Sequence, residues 1–348
     1  MISILRIVGL IVGIIGFILA FKVYRGPKWN RFNFLLFGII SFSFILISIK
    51  PDILNFLTSM LSLEQEQRGR VLTLLIFSNI ILWFAFLNFK TRLDEYNHKF
   101  DIFVRSFSQK ALIKIKKKLE EADIMIIVAA YNEAENLKVL LKKIPREIKG
   151  RKVEVLVIDD GSTDDTFRVV EEEGNIAIRN IINRGQGAAL RLGYDALLST
   201  ENIKIGVTMD ADNQHSPEDI ENLVEPILKD EHDIVIGSRA IGSREKVSFL
   251  RDLGNAFFPI IINFLTGLKL TDCSSSFKAF NTDKIRLLNL REDQYQVPEV
   301  IIEAAKKGLR MGEVPINAPK RIYGYSKKGK DLRYGLNFTK AIIKSWWR

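Results

Sequence analysis

The hydrophobic pattern divides the chain into an apolar first third and a later part in which short apolar runs alternate with amphipathic segments. Three long apolar stretches come first, at residues 7–21, 32–49 and 71–89. Each approaches the roughly 20 residues that cross a bilayer as a helix. They predict a membrane domain of three transmembrane helices over residues 1–89. A cleaved signal peptide is the alternative for the first stretch, but no small-residue cleavage site follows it.

Two amphipathic segments flank the remaining sequence. Residues 90–121 mix charged side chains with intermittent Phe, Leu and Ile and end in the basic run 116–118, which predicts a juxtamembrane amphipathic linker. Residues 331–348 place Leu336, Ile343, Trp346 and Trp347 among basic residues and predict a second interfacial helix. A helix packed on the protein itself is the alternative, because the pattern alone does not distinguish lipid from protein.

Between these segments, residues 122–330 read as one catalytic domain of the α/β class. Buried strands are predicted at 124–130, 154–158, 205–209 and 234–237, and helices at 135–143 and 163–173. This alternation indicates a mostly parallel central sheet with helices on both faces. Ligands of such sheets bind beyond the carboxyl ends of the strands.

Charge is distributed unevenly along the chain, because the two ends are basic and the middle is acidic. Residues 1–121 carry 17 basic and 8 acidic side chains, residues 122–319 carry 25 and 32, and residues 320–348 carry nine and one. Positive charge beside apolar segments is typical of contact with anionic lipids and argues against a nucleic-acid partner. The basic first loop and the basic region after the third span predict an integral protein of the cytoplasmic membrane with its catalytic domain in the cytoplasm.

The polar motifs follow the predicted strands. Tyr131 and Glu133 come after the first strand, and Asp159 and Asp160 after the second. Carboxylates at neighbouring strand ends suit a nucleoside, since they accept hydrogen bonds from a base or a ribose. Singly, each motif is also an ordinary helix N-cap turn. The glycine-rich turn at residues 183–189 opens a helix and is suited to phosphate binding.

A divalent metal site is predicted after the strand at 205–209. Asp210, Asp212 and Gln214 offer hard oxygen ligands for Mg²⁺ or Mn²⁺. The EF-hand alternative fails, because no glutamate or turn glycine follows at the required offsets. His215 is expected to be structural rather than a ligand. The lone Cys273 and three scattered histidines exclude a disulfide framework and disfavour a zinc site.

Over residues 122–328 the order AAYNEAEN, DDGSTDDT, NRGQGAALR, DADNQH, GSR, DCSSSFKAF, EVP and RIYGYSK resembles the dolichol-phosphate mannosyltransferase-like branch of family 2 glycosyltransferases. The resemblance implies a GT-A-type nucleotide-diphospho-sugar transferase domain and inverting transfer of one sugar, from GDP-mannose or a UDP-hexose, to a membrane polyprenyl or dolichyl phosphate. The first 115 residues are weakly similar to the three-helix membrane domain found near such enzymes; these helices would also serve an oligomer or a membrane-protein partner.

The resemblance also implies roles for individual residues. It implies nucleotide-sugar binding by Ala130, Tyr131, Glu133, Asp159, Asp160, Arg184, Gly185, Asp210 and Ala211, and metal binding by Asp210, Asp212 and Gln214. It implies acceptor-phosphate binding by Arg239, Arg251, Asn255, Arg321, Ser326 and Lys327, and a catalytic set of Asp212, Arg239, Arg251 and Asp272. For any one arginine, a surface salt bridge is the alternative.

The sequence departs from the family pattern in two places. Gln186 stands where Lys is more usual, and Ser276 replaces the glycine of Ser-Gly-Phe. The alternatives in function are a transferase acting on a hydroxyl of another lipid or a glycan, with Asp272 as its base, a nucleotidyltransferase, and a non-catalytic membrane scaffold that retains the fold. The absence of the Gln-x-x-Arg-Trp signature of processive synthases favours transfer of a single sugar.

Overall fold

The computed structural model describes residues 4–24, 31–60, 67–244, 249–324 and 331–347. The chain forms two compact units, Met1–His98 and Lys99–Arg348. The first unit is helical and the second has a central sheet. The helices of the first unit are α1 (Ile4–Tyr24), α2 (Arg31–Ile49) and α3 (Ile53–Met60), and α4 (Gln67–Leu119) runs from the first unit into the second.

Within the first unit, α1 packs along α2 through a face of small residues. A Cβ atom added at Gly13 would lie 2.7 Å from Cγ1 of Ile45 and 2.9 Å from the carbonyl oxygen of Ser41. The helices therefore approach too closely for a larger residue at this position. Arg6 closes one end of the pair by donating from Nε to the carbonyl oxygen of Ser48 at 3.0 Å.

One helical segment in the described part of the chain, Leu74–Leu93 of α4, is long and apolar enough to cross a bilayer. It is not buried within the structure. The apolar parts of α1 and α2 are shorter, Arg6–Ala20 and Phe37–Ile49. The residues expected to form a separate linker after position 90 continue α4 as one helix to Leu119.

The second unit is built on an eight-stranded sheet. Its strands are β1 (Ile124–Ala130), β2 (Glu147–Ile148), β3 (Arg151–Asp159), β4 (Ile176–Arg179), β5 (Ile205–Asp210), β6 (Ile234–Arg244), β7 (Lys278–Asn281) and β8 (Met311–Ala318). They lie in the order β2-β3-β1-β5-β7-β6-β8, and β4 pairs with β3. Strand β1 is parallel to β3 and β5, and β6 is parallel to β8. The expected mostly parallel sheet is confirmed, but β7 is inserted antiparallel between β5 and β6.

Helices cover both faces of this sheet. They are α5 (Ala134–Lys143), α6 (Thr166–Glu172), α7 (Gln186–Leu198), α8 (Ile220–Leu228), α9 (Phe249–Thr266), α10 (Thr282–Ile285), α11 (Gln296–Lys306) and α12 (Asp331–Trp347). The central strands are apolar throughout because both of their faces are buried. One core layer contains Leu137, Val155 and Phe277, and the other contains Ile127, Tyr194 and Phe280.

Helix α12 has one packed face and one exposed face. Phe338, Ala341 and Ile342 are buried, and the Phe338 ring lies 4.5 Å from that of Phe258 on α9. Trp347 is 82% exposed, and Leu336, Ile343 and Trp346 are also exposed. The helix predicted for the C-terminal segment therefore packs on the protein and also presents apolar side chains outward.

Candidate active site

A cavity of about 430 Å³ opens at the carboxyl ends of β1, β3 and β5. Its lining includes most of the residues that the motifs single out: Ala130, Tyr131, Glu133, Asp160, Gly185, Asp210, Ala211, Asp212, Gln214 and Arg321. Parallel strands bring these positions together because their carboxyl ends share one edge of the sheet. Three groups of residues form its walls: the glycine-rich turn with Asp160, the candidate metal ligands, and an aromatic cluster.

Asp160 forms the first wall by holding the glycine-rich turn. Its carboxylate accepts from the backbone N–H of Gly185 at 2.6 Å, from that of Arg184 at 3.1 Å, and from Asn180 Nδ2 at 2.8 Å. Burial raises the pKa of the Asp160 carboxyl, and these hydrogen bonds oppose the rise. Gly185 has φ 105°, and an added Cβ would lie 2.7 Å from the carbonyl oxygen of Asp293. A glycine is therefore required here.

The neighbouring Asp159 has a structural position. Its side chain is fully buried and accepts from the backbone N–H of Ser162 at 2.8 Å, with Arg179 Nε 3.3 Å from its other oxygen. These contacts hold the turn after β3, and Asp159 does not line the cavity.

Arg184 does not line the cavity, and its side chain is only 8% exposed. Its guanidinium pairs with Asp293 at 2.9 Å, and Arg191 pairs with the other oxygen of the same carboxylate. Arg191 also donates to the carbonyl oxygen of Glu292 at 2.6 Å. Asp293 therefore locks the loop before α11 onto the glycine-rich turn before α7.

The second wall carries the candidate metal ligands. Asp210 accepts a hydrogen bond from Gln186 Nε2, and Asp212 accepts from the backbone N–H of Gln214 at 3.1 Å. His215 Nδ1 accepts from the backbone N–H of Asp210 at 3.1 Å, and its ring stacks on Phe277 with centroids 4.8 Å apart. Histidine thus supports the turn, as expected.

These residues fit a divalent cation. Asp210, Asp212 and Gln214 line a single cavity, and their carboxylate and amide oxygens are hard donors suited to Mg²⁺ or Mn²⁺. Among the described residues, no group of three or more His, Cys, Asp or Glu side chains is arranged to hold a metal, so a site here depends on the amide of Gln214. The Arg321 guanidinium lies 3.4 Å from Asp212 and bonds to Glu133. The positive charge of this arginine therefore already faces the carboxylates of Asp212 and Glu133.

Through its contacts with Glu133 and Asp212, Arg321 also fastens the segment after β8 to the cavity wall. Its Nε donates to the carbonyl oxygen of Tyr323 at 2.7 Å. Asn136 connects the same segment to α5, since its side chain donates to the carbonyl oxygen of Tyr323 at 3.1 Å and to Glu133 at 2.6 Å. Asn136 and Tyr323, 187 positions apart in sequence, are thus joined.

Arg239 and Asp272 form a buried ion pair outside the cavity lining. Asp272 accepts from Arg239 Nε at 2.7 Å and Nη2 at 2.9 Å, and from the backbone N–H of Ser274 at 3.0 Å. Burial opposes ionisation of Asp272, but the hydrogen bonds and charge of Arg239 outweigh it and lower its pKa to about 2. Glu313 on β8 fixes this turn by accepting from the backbone N–H groups of Thr271 and Asp272, both at 2.8 Å.

The third wall is aromatic. Tyr295, Tyr334 and Phe338 line the cavity, with ring centroids 5.3 Å apart for the two tyrosines and 6.0 Å apart for Tyr334 and Phe338. Two of these side chains belong to α12, so the inward face of the C-terminal helix forms part of the site.

The structure does not describe the side chains of four residues that were predicted to belong to the site. Arg251 and Asn255 lie on α9, whose backbone is described while these two side chains are not, and Ser326 and Lys327 lie outside the described residues. The structure adds residues that the motifs did not indicate: Gln186 as a donor to Asp210, Asp293 as the partner of Arg184, Glu313, and the aromatic wall. A signal existed only for Gln186, which stands where the family usually has Lys.

Comparison with known proteins agrees with this geometry. The Glycosyl transferase family 2 model matches residues 125–288. UDP-N-acetylglucosamine–dolichyl-phosphate N-acetylglucosaminyltransferase of Methanococcus voltae is 31% identical over 63% of this chain and 94% of that protein. Dolichol-phosphate mannosyltransferase of Pyrococcus furiosus is 31% identical over 64% of each chain.

A solved structure shows the fold independently. Glucosyl-3-phosphoglycerate synthase from Mycobacterium tuberculosis, in complex with Mn²⁺, uridine diphosphate and glucosyl-3-phosphoglycerate, superposes with a TM-score of 0.53 at 16% identity. The match covers 68% of this chain and 84% of that one. A family match over residues 125–288 and a relative that is 31% identical over 94% of its length show that the chain belongs to glycosyl transferase family 2, as a glycosyltransferase of GT-A-type fold.

Proposed function

We propose that the protein transfers a single sugar, with inversion, from a nucleotide-diphospho-sugar to a membrane polyprenyl or dolichyl phosphate. The observation that carries the proposal is the composition of the cavity. One side has carboxylates at the strand ends for a nucleotide and a cation, and the other has aromatic side chains from α12, whose outer face is apolar and exposed. Relatives named for dolichyl-phosphate transfer support the same acceptor class.

Separate groups of residues bind the nucleotide, the metal and the acceptor phosphate. Tyr131, Glu133 and Asp160 bind the nucleoside, and the turn at Gly185 approaches the diphosphate with its backbone. Asp210, Asp212 and Gln214 hold Mg²⁺ or Mn²⁺, which supplies positive charge to the departing nucleotide diphosphate. Arg239, Arg251, Asn255, Arg321, Ser326 and Lys327 form the acceptor-phosphate set.

The state of Asp272 favours a phosphate acceptor over a hydroxyl. A hydroxyl acceptor needs a general base, whereas a phosphate monoester has a second pKa of roughly 6 and is largely ionised near neutral pH. Asp272 was the candidate base, but both of its oxygens bond to Arg239 and its pKa is about 2. A carboxylate with so low a pKa is a weak base, so its position supports orienting Arg239 instead.

The proposed domain arrangement is a membrane domain at residues 1–89, a linker at 90–121, a catalytic domain at 122–330 and an interfacial helix at 331–348, with the catalytic domain in the cytoplasm. The apolar and unburied Leu74–Leu93 segment supports membrane insertion. Exposed Trp347 on the same helix as the basic residue Lys340 supports contact of α12 with anionic lipid. Protease accessibility of the C-terminus in sealed vesicles of known orientation tests the topology.

The test of function is transfer of labelled sugar into organic-extractable lipid by the detergent-purified full chain. A panel of UDP- and GDP-sugars is supplied with polyprenyl phosphate and Mg²⁺ or Mn²⁺. Asp212→Asn is compared with Asp165→Asn, which removes an exposed carboxylate paired with Arg168. Label in lipid that is lost with Asp212→Asn or chelator, and retained with Asp165→Asn, supports the proposal. Label that enters only hydroxyl acceptors refutes the phosphate acceptor.

A further inference from the structure

Lys278 is a lysine buried in the sheet beside the cavity. It begins β7, is 1% exposed, and pairs with Thr208 on β5 and Ile236 on β6. Its neighbours Phe277 and Ala279 belong to one core layer, whereas Phe280 belongs to the other. Because successive side chains on a strand alternate in direction, Lys278 projects to the face that Phe280 occupies.

The same alternation places the lysine under the cavity. On β5, Val207 and Met209 belong to the core layer of Phe277, so Thr208 and Asp210 share the face of Lys278. Asp210 lines the cavity, as does Ser276, two residues before Lys278 on the same chain segment. Lys278 therefore lies on the cavity side of the sheet. It is two residues beyond Ser276 in sequence and pairs with Thr208, two residues before Asp210.

The ammonium group of Lys278 is buried away from hydrogen-bond acceptors in the described part of the chain. Among the described residues, no atom accepts a hydrogen bond from Lys278 Nζ. An unpaired buried cation is costly, and replacing such a group with an apolar one is often stabilising. A role in stability alone therefore does not account for a lysine here.

The carboxylates that act on Lys278 belong to the site. Burial lowers the pKa of the ammonium to about 8, while the charges of Asp210 and Asp272 oppose that fall. Within the described part of the chain, these two carboxylates are the charged groups that act on the ammonium. The positive charge of Lys278 therefore acts on Asp210 in the candidate metal site and on Asp272, the partner of Arg239.

The cavity needs additional positive charge if its ligand is an anion. Its lining includes four carboxylates, from Glu133, Asp160, Asp210 and Asp212, and one guanidinium, from Arg321. Carboxylates repel a nucleoside diphosphate, and a charge in a poorly solvated interior acts over a longer distance than one in water. The positive charge of Lys278 offsets part of this excess of negative charge.

We propose that Lys278 is a positioning residue of the donor site. Its buried ammonium offsets the negative charge of the cavity carboxylates and so favours binding of the donor diphosphate. This inference rests on the proposed nucleotide-diphosphate donor. It assigns the lysine no contact with the substrate; the lysine acts through Asp210 and through the charge of the site.

The test measures binding as well as transfer. Lys278→Met keeps the length of the side chain and removes the charge, and Lys278→Arg retains the charge. Lys204→Met is the matched control, because Lys204 is an exposed lysine just before β5, at the opposite end from Asp210. Calorimetry with the full chain in detergent and Mn²⁺ gives the affinities for a nucleoside diphosphate and its monophosphate, using UDP and UMP or GDP and GMP. Thermal unfolding is followed in parallel.

We expect Lys278→Met to bind the diphosphate on the order of tenfold more weakly and the monophosphate with a smaller loss. Its unfolding temperature should equal or exceed that of the wild type, and Lys278→Arg should recover part of the diphosphate affinity. Equal affinities in wild type and Lys278→Met would overturn the inference, as would an equal loss for both nucleotides together with a lower unfolding temperature. Transfer of label by the wild type tests the proposed function separately, because diphosphate affinity is measured without acceptor.

Discussion

Replacement of Asp272 by Asn tests whether the Arg239–Asp272 pair is a structural unit that orients the arginine. The two carboxylate oxygens accept five hydrogen bonds, from the backbone N–H, Nε and Nη2 of Arg239 and from the backbone and hydroxyl of Ser274. Asparagine keeps the shape of the side chain but replaces one acceptor with an N–H₂ donor. That donor would face either the guanidinium or the Ser274 N–H, and Arg239 would keep an uncompensated charge.

The expected loss of stability follows from burial of the pair. The side chains of Arg239 and Asp272 are 20% and 7% exposed, and breaking a buried pair by removing one partner costs about 3–5 kcal/mol. The lowered pKa of Asp272 gives a second figure. From 3.8 to about 2, the shift corresponds to about 2 kcal/mol at neutral pH. We therefore expect a loss of about 3 kcal/mol, or roughly 6–12 °C in unfolding temperature for a unit of this size.

The pH dependence has a defined sign. The folded-state pKa of Asp272 is depressed, so its contribution is fully present above the unfolded value near 4 and is lost as the pH falls toward 2. The difference in unfolding temperature between wild type and Asp272→Asn should therefore be constant from pH 7 to about pH 5. It should narrow below about pH 4.

A thiol-reactive fluorogenic maleimide measures unfolding in detergent. Cys273 is the only cysteine in the sequence and is buried, and burial raises the pKa of its thiol, so the dye reacts when the fold opens. Circular dichroism provides a second readout that does not depend on the residue beside the mutation. Asp165→Asn, with its exposed partner Arg168, should cost less than about 0.5 kcal/mol. If Asp272→Asn unfolds within 2 °C of wild type, the pair is not structural and the case against Asp272 as a base fails.

Three further variants test the cavity. Arg321→Gln removes the cation 3.4 Å from Asp212, so Mn²⁺ titration followed by electron paramagnetic resonance should show about threefold tighter binding in donor-free protein while transfer falls; weaker binding would contradict this. Gly185→Ala forces a Cβ to 2.7 Å from the carbonyl oxygen of Asp293 at φ 105°, and should cost roughly 1–3 kcal/mol by thermal unfolding, whereas an unchanged midpoint would show that the turn relaxes. Asp160→Asn sets an amide donor against the Gly185 N–H and should weaken nucleotide binding by about tenfold in calorimetry, a result that wild-type affinity would refute.

Much of the second unit was predictable because its signals are local. The strand at 124–130 is found at the same bounds, and helix α5 ends at Lys143 as predicted. Continuous apolar runs specify buried strands, and parallel strands bring their carboxyl ends to one edge. For this reason the motifs at Asp160 and at Asp210 were predicted to meet, and they do.

Other features depend on residues distant in sequence and were not predictable from patterns. Strand β7 pairs antiparallel with β5 and β6, which are distant in sequence. The short segment that begins at Lys278 does not indicate which strands it pairs with. The pairing of Arg184 with Asp293, 109 residues away in sequence, has no local signal in the sequence. The aromatic wall arises because α12 folds back onto α9 and α11, which a hydrophobic pattern does not specify.

The insertion of β7 also has a consequence for synthesis of the chain. Strands β1, β3, β4 and β5 pair among themselves, and all of them have been synthesised by residue 210. The other edge of β5 pairs with β7, where Thr208 meets Lys278, 70 residues further on. As chains fold from the N-terminus during synthesis, the nucleotide-binding half can assemble while the edge that carries Asp210 is still open. That unpaired edge is open to association with other chains until β7 emerges and covers it.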